Sequence, residues 1–166
     1  MAKKILIKHL STPIGIVTAG ATDKGLCTLE FGEKVEFQTK LDYVSKLGSN
    51  TFIEETEKQL VQYFNKERTE FNIPFDLIGT EFQFSVWEEL LKIPFGSTRT
   101  YKEQAIALGN LKAIRAVATA NGANRIPIII PCHRIIGSDG SLTGFSGGLW
   151  RKKFLLELES DQTSLF

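Results

Sequence analysis

Ile128-Ile129-Ile130-Pro131-Cys132-His133-Arg134 is a bulky apolar run that delivers a cysteine and a histidine side by side. Bounded by Pro127 and Pro131, the run is too short for a stable helix and reads as a buried strand or extended plug. Such an element fixes Cys132 at the floor of a pocket, and the rest of the chain reads as a device for bringing something to its sulfur. Downstream, Gly137-Ser138-Asp139-Gly140 marks a turn between extended pieces, with Asp139-Gly140 the strongest hairpin signal in the chain. Gly144-Phe145-Ser146-Gly147-Gly148 is a loop whose glycines let backbone come close to a flat ligand. A last helix is expected over residues 149–159, with Leu155 and Leu158 inward and Arg151, Lys152 and Lys153 near its start. The residues beyond it are expected to fray.

Upstream, residues 100–121 read as helix, turn, helix: 101–108, then Gly109-Asn110, then 112–121. In the second helix Ile114, Val117 and Ala118 share the inward face and Lys112, Arg115 and Thr119 the opposite one, at spacings of three and four. Ala113, Ala116 and Ala120 supply little bulk, so this helix can approach a duplex closely and push the single long side chain of Arg115 into it. Thr80-Glu81-Phe82-Gln83 is a capping box that opens an earlier helix with Val86, Trp87, Leu90 and Leu91 as its apolar stripe, ended by Pro94 and Gly96.

The first half reads as scaffold. Three strands are expected over 5–9, 15–19 and 26–31, forming an antiparallel sheet. A helix follows from the capping box Thr51-Phe52-Ile53-Glu54 to Asn65, with Ile53, Leu60, Val61 and Phe64 on one face. Residues 71–78 read as a linker or edge strand, and composition changes there, which divides the chain into domains 1–78 and 79–166. The fold class is α/β (α+β).

Of the 166 residues 42% are hydrophobic and 23% charged, the balance of a globular protein with an adequate core. No apolar run approaches the roughly 20 residues of a membrane span, and the N-terminal apolar stretch is broken at Lys8, so no membrane partner and a cytoplasmic location are expected. Cys27 and Cys132 are the only cysteines and His9 and His133 the only histidines; their spacing matches no metal site, and no metal or cofactor is expected. The net charge of +1 hides an asymmetry: residues 1–91 carry −4, 92–153 carry +8 and 154–166 carry −3. A 62-residue segment at +8 is the electrostatic footprint of a site for a polyanion.

A cysteine attacks as thiolate, and an unperturbed thiol with pKa near 8.5 is mostly protonated at neutral pH. His133 is the nearby base in sequence, although neighbours in an extended chain face opposite ways, so contact requires a turn or a bridging water. Glu157 or Glu159 on the last helix is placed to hold the far nitrogen of the imidazole. From the residues alone three classes stay open: a thiol hydrolase, a helix-turn-helix DNA-binding regulator with a non-catalytic or redox-sensing Cys132, and an enzyme whose cysteine attacks nucleic acid.

Pro131-Cys132-His133-Arg134, preceded by the isoleucine run and followed by Leu142-Thr143-Gly144-Phe145-Ser146-Gly147-Gly148-Leu149, resembles the active-site signature of the O6-alkylguanine-DNA alkyltransferase family. The similarity runs over 79–159 and takes in Gly79-Thr80, Phe82-Gln83, Val86-Trp87, Ile93-Pro94, Gly96, Thr98, Tyr101 and Arg115-Ala116-Val117. The resemblance implies a small ribonuclease-H-like α/β domain followed by a mainly helical domain containing the helix-turn-helix. It implies a monomer that repairs double-stranded DNA containing O6-alkylguanine, and O4-alkylthymine as a further substrate, by irreversible single-turnover transfer to Cys132. His133 would be the base through water and Glu159 its orienting carboxylate. Arg115 would enter the stack as the damaged nucleotide flips out, with Ala116 and Thr119 beside it on the DNA-facing helix and Tyr101 crowding the phosphate. Asn124 would brace the turn before the cysteine, while Arg134, Phe145, Ser146, Gly147 and Gly148 would shape and support the base pocket.

Three positions depart from the family pattern: Phe145 where tyrosine is frequent, Ala118 where glycine is common, and Arg125 where proline is frequent. The first removes a phenol hydrogen bond to the guanine oxygen.

Overall fold

The structure, a computed structural model, describes residues 3–34 and 43–160. Residues 161–166, where fraying is expected, lie outside that range. The chain divides into two compact units, Met1–Ile78 and Gly79–Phe166.

In the first unit strands β1 (Lys3–Thr12), β2 (Gly15–Ala21), β3 (Leu26–Phe31) and β4 (Tyr43–Leu47) form a sheet in the order β3-β2-β1-β4. The first three pair antiparallel as expected, but β4 lies parallel to β1, so the sheet is mixed. Central β2 is built of small residues, and a Cβ on Gly20 would meet the Thr28 methyl at 2.6 Å, so only glycine lets β3 close on it. Buried Cys27 donates to the Gly20 carbonyl (3.3 Å), and burial pushes its thiol up to about 12, which makes it an inert core residue.

Helix α1 (Thr51–Phe64) is capped one residue earlier than expected: the Asn50 side chain accepts from Ile53 N–H (3.1 Å) and donates to the Thr22 carbonyl (3.1 Å). Glu54 is drawn away from a capping box by Ser49 and Lys8. Its buried face is Ile53, Thr56, Gln59, Leu60 and Tyr63, while Val61, expected inward, is exposed. Residues 71–78 run close to the β2–β3 turn, held by Leu26 N–H to Pro74 O and Asp76 N–H to Leu26 O (both 2.9 Å) around a single bridge between Leu26 and Phe75.

The second unit opens with α2 (Glu81–Leu91), whose capping box is complete: Thr80 Oγ1 accepts from Gln83 N–H (3.1 Å) and Gln83 Oε1 from Thr80 N–H (3.0 Å). Val86, Trp87 and Leu90 are buried, but Leu91 is exposed. A second capping box, Thr100 with Glu103, starts α3 (Tyr101–Ala107). A 3-10 turn (Leu111–Ala113) leads into α4 (Ile114–Gly122), whose inward residues are Val117, Ala120 and Asn121, with Ile114 and Ala118 half-buried.

Two contacts set the lie of α4. Buried Trp87 donates its indole N–H to the Ala120 carbonyl (2.9 Å). Gln104 of α3 and Asn121 of α4 exchange amide hydrogen bonds of 2.8 and 2.7 Å in the core. We expect Gln104→Ala, which strands a buried amide, to cost about 1–3 kcal/mol, read as a lower urea midpoint at unchanged m-value.

The Asp139-Gly140 turn forms, with Gly140 N–H on Gly137 O (2.9 Å), but it does not return a hairpin. Strand β6 (Ile135–Ile136) pairs in parallel with the distant β5 (Arg99–Thr100), leaving 141–146 irregular. Helix α5 (Leu149–Glu159) closes the unit; Leu155 and Leu156 are buried, and Leu158 only half so. No helix among the described residues is long and apolar enough to cross a membrane.

Candidate active site

The isoleucine run is a buried turn and not a strand. Pro127 and Pro131 remove two backbone donors, so the segment cannot sustain a ladder and bonds to itself instead. Ile130 N–H reaches Ile126 O (2.9 Å) and Cys132 N–H reaches Ile130 O (2.8 Å). Ile128 adopts φ +74°, a conformation that costs a β-branched residue roughly 1–3 kcal/mol and persists where the surroundings over-determine it. Asn124 supplies that determination, donating from Nδ2 to Ile130 O (2.8 Å) and accepting Ile126 N–H at Oδ1 (3.0 Å).

Cys132, His133 and Arg134 then form one 3-10 turn, all three buried. The turn, in place of an extended chain, lets consecutive side chains serve one cluster. Arg134 donates from Nε to Glu159 Oε1 (2.7 Å), from Nη2 to Glu159 Oε2 (3.0 Å) and from Nη1 to the Ile93 carbonyl (2.6 Å). His133 Nε2 lies 2.6 Å from Glu159 Oε2. Of the two carboxylates open to sequence reasoning, Glu159 meets the imidazole, and Glu157 pairs with Lys153 on the surface of α5.

The electrostatics assign the protons. Burial pushes the Glu159 carboxyl up, but His133 and Arg134 outweigh it and hold the group at about 2, so it is an anion. Burial pulls the His133 pKa down, and Glu159 offsets only part of this, so the ring is neutral. A neutral ring facing a carboxylate must donate through Nε2, which leaves the lone pair on Nδ1. That nitrogen is buried and has no hydrogen-bond partner among the described residues. Burial likewise raises the Cys132 thiol, opposed by a hydrogen bond from Asn124 and by the charge of Lys152.

Lys152 was expected among the basic residues at the start of α5, yet it is buried, donating to Thr143 O (2.9 Å) and Gly144 O (3.3 Å). Its signal was present: Lys152, Leu155, Leu156 and Glu159 recur at the spacing of one helical face. Arg151 also holds the loop, donating to Gly147 O (2.9 Å), and the Tyr101 hydroxyl donates to Thr143 O (2.9 Å). Phe145 is half-buried and Ser146 exposed; Gly147 is buried, and Gly148, at φ +89°, leads into α5.

Cys132, His133, Arg134, Asn124 and Glu159 are thus one connected cluster. Arg115, Ala116 and Thr119 lie apart from it on the exposed face of α4, with the Thr119 hydroxyl turned back to Arg115 O (3.0 Å). Among the described residues no group of three or more His, Cys, Asp or Glu side chains is placed to hold a metal ion.

Residues 5–77 match the ribonuclease-like domain, and residues 81–161 the DNA binding domain, of the family described as 6-O-methylguanine DNA methyltransferase. A methylated-DNA–protein-cysteine methyltransferase of Methanosarcina barkeri is 44% identical over 153 residues, 92% of this chain and 95% of that protein. The protein of the same name from Mycobacterium tuberculosis is 42% identical over 155 residues, 93% and 92% of the two chains. The crystal structure of M. tuberculosis O6-methylguanine methyltransferase superposes with a TM-score of 0.83 at 40% identity, covering 98% of this chain and 96% of that one. M. tuberculosis OGT in complex with DNA superposes with a TM-score of 0.82 at 42% identity, over 94% and 92%.

Proposed function

Because the chain belongs to the 6-O-methylguanine DNA methyltransferase family, we propose that it repairs DNA by moving the alkyl group of O6-alkylguanine onto Cys132, once per molecule. The observation that carries this reading is the buried relay Arg134–Glu159–His133, which ends in a basic Nδ1 on the residue next to the cysteine.

His133 Nδ1 takes the thiol proton through a water, and Glu159 stabilises the imidazolium that forms. The sulfur lone pair attacks the alkyl carbon as the C–O6 bond breaks, its electrons passing to O6. The guanine anion then takes a proton back from the imidazolium by way of water. The product thioether is not cleaved, so the protein is consumed.

The alkyl carbon cannot be reached inside a stacked duplex, so the nucleotide must rotate out at a cost of a few kcal/mol. Arg115 on the exposed face of α4 is the side chain to fill the gap, with Ala116 and Thr119 lying close to the backbone and Tyr101 at the phosphate. The extruded base would lie against the 143–148 loop, with Ser146 and backbone N–H groups facing O6. Binding is largely independent of sequence and weakens with salt. The substrate is double-stranded DNA bearing O6-alkylguanine, with O4-alkylthymine as a second lesion, met by a monomer in the cytoplasm.

Phe145 offers no hydroxyl to the leaving oxygen, so Phe145→Tyr should raise the single-turnover rate, by about tenfold if it adds a hydrogen bond worth about 1.4 kcal/mol in the transition state. Rapid-quench assays on an O6-methylguanine duplex check this.

The reading is tested by titrating such a duplex against the protein and scoring restored guanine. One guanine per protein, and none with Cys132→Ser, supports it. Restoration that continues past equivalence would replace it with a turnover enzyme, and tight binding without restoration with a DNA-binding regulator.

A further inference from the structure

Lys152 is completely buried on α5, and among the described residues no carboxylate pairs with it. A buried cation without a counter-ion is costly, and fully buried lysines are correspondingly rare. Two of its three N–H groups have definite work: they hold the Thr143 and Gly144 carbonyls at the root of the loop carrying Phe145 and Ser146. Gly144 sits at φ +53°, and the Tyr101 hydroxyl shares the Thr143 carbonyl, so this corner of the loop depends on donors supplied from outside it. The titratable groups that face the ammonium are Cys132 and His133 on the 3-10 turn and the ring of Tyr101 on α3, 6.0 Å away. Burial brings the Lys152 pKa down to about 8, and the attraction of Cys132 works against that fall.

We propose that Lys152 is the positioning residue that couples the base-binding loop to the acceptor sulfur: one ammonium holds the Thr143 and Gly144 carbonyls in place while its charge stabilises the Cys132 thiolate. The proposal rests on Cys132 as the alkyl acceptor. When the thiol proton passes to His133, the anion left on sulfur is the missing counter-ion of Lys152. When the sulfur becomes a neutral thioether, that counter-ion is lost again. Because the ammonium that acts on the sulfur through its charge is the one held by the Thr143 and Gly144 carbonyls, the thiol is most acidic when the loop is in its base-holding position.

The test is the pH dependence of Cys132 carboxamidomethylation by iodoacetamide, a reaction that needs no DNA, located by peptide mass spectrometry so that Cys27 is scored separately. For Lys152→Met we expect a profile displaced to higher pH and a rate at neutral pH lower by about tenfold, the equivalent of one pKa unit. Lys152→Arg should recover most of that loss. Lys153→Met, which removes a neighbouring charge paired with Glu157 on the surface of α5, should keep the wild-type profile. Folded Lys152→Met protein with a wild-type profile overturns the proposal.

If Lys152→Met does not fold, the wild-type protein decides the matter through the NMR titration of the Lys152 side chain before and after carboxamidomethylation. A fall in its pKa on blocking the sulfur is expected; an unchanged value overturns the coupling. Wild-type protein that shows the lysine-dependent thiol profile but takes no methyl group from O6-methylguanine would defeat the proposed function and leave the coupling standing.

Discussion

Glu159→Ala should slow methyl transfer by about 10²- to 10⁴-fold, the range over which a positioned general base acts. One carboxylate does two jobs: it receives Nε2–H of His133, which leaves Nδ1 as the basic atom, and it neutralises Arg134. Without it the neutral ring has no preferred tautomer and the imidazolium no counter-ion. The same change leaves the Arg134 guanidinium buried and unpaired, which costs roughly 3–5 kcal/mol of stability.

Acid should reproduce part of this loss. Against the opposing effect of burial, His133 and Arg134 hold the folded Glu159 carboxyl below its unfolded value near 4.3, so its contribution is complete above pH ~4.3 and fades as pH falls below it. His133 adds to the same trend from higher pH: its folded pKa is lowered, so below about 6.5 the unfolded chain takes up a proton that the native state refuses. Urea denaturation at a series of pH values should show stability falling below about 6.5, with the decline below pH ~4.3 flattened in Glu159→Ala.

The second large effect belongs to Arg115. Arg115→Ala should lower the single-turnover rate on an O6-methylguanine duplex by about 30- to 100-fold, the equivalent of 2 to 3 kcal/mol of the cost of keeping a base out of the stack. The reaction with the free base O6-methylguanine, which needs no extrusion, should be unchanged. The side chain lies on the exposed face of α4 while the Cys132 cluster is buried, so this separation of the two substrates is a sharp expectation. Equal loss on both substrates would place Arg115 in the chemistry instead.

The parts of this structure that local sequence dictates were legible in advance. Helix α5 begins after the Gly147-Gly148 pair and carries its leucines at helical spacing, and its bounds are those expected. The Thr80 capping box needs only its own four residues. What escaped prediction depends on partners far along the chain. Tyr43–Leu47 is a strand because β1 accepts it in parallel, and Ile135–Ile136 pairs with Arg99–Thr100 and not with residues after the Asp139-Gly140 turn. Asn50, and not Thr51, caps α1 because the Thr22 carbonyl holds its side chain.

The site shows the same division. The Cys132-His133 pair and the loop after it stand out as a string of residues, and the charge of the basic segment around them points to a polyanion without any knowledge of the fold. The choice between Glu157 and Glu159 needed α5 docked against the 3-10 turn. The extended plug was wrong because two prolines deny it a ladder, and Asn124 rebuilds the lost bonds as a turn. Sequence reasoning places Lys152 only near the start of the last helix and gives it no role, although its helical spacing to Leu155 and Glu159 argues for the buried face.

Alkyl transfer to Cys132 is tested most directly by the intact mass of the protein after incubation with a duplex carrying O6-methylguanine. A gain of one methylene mass is expected on every active molecule, located by fragmentation on Cys132 and absent from Cys132→Ala. An unchanged mass in protein that binds the duplex tightly, or a methyl group found on any other residue, would contradict it.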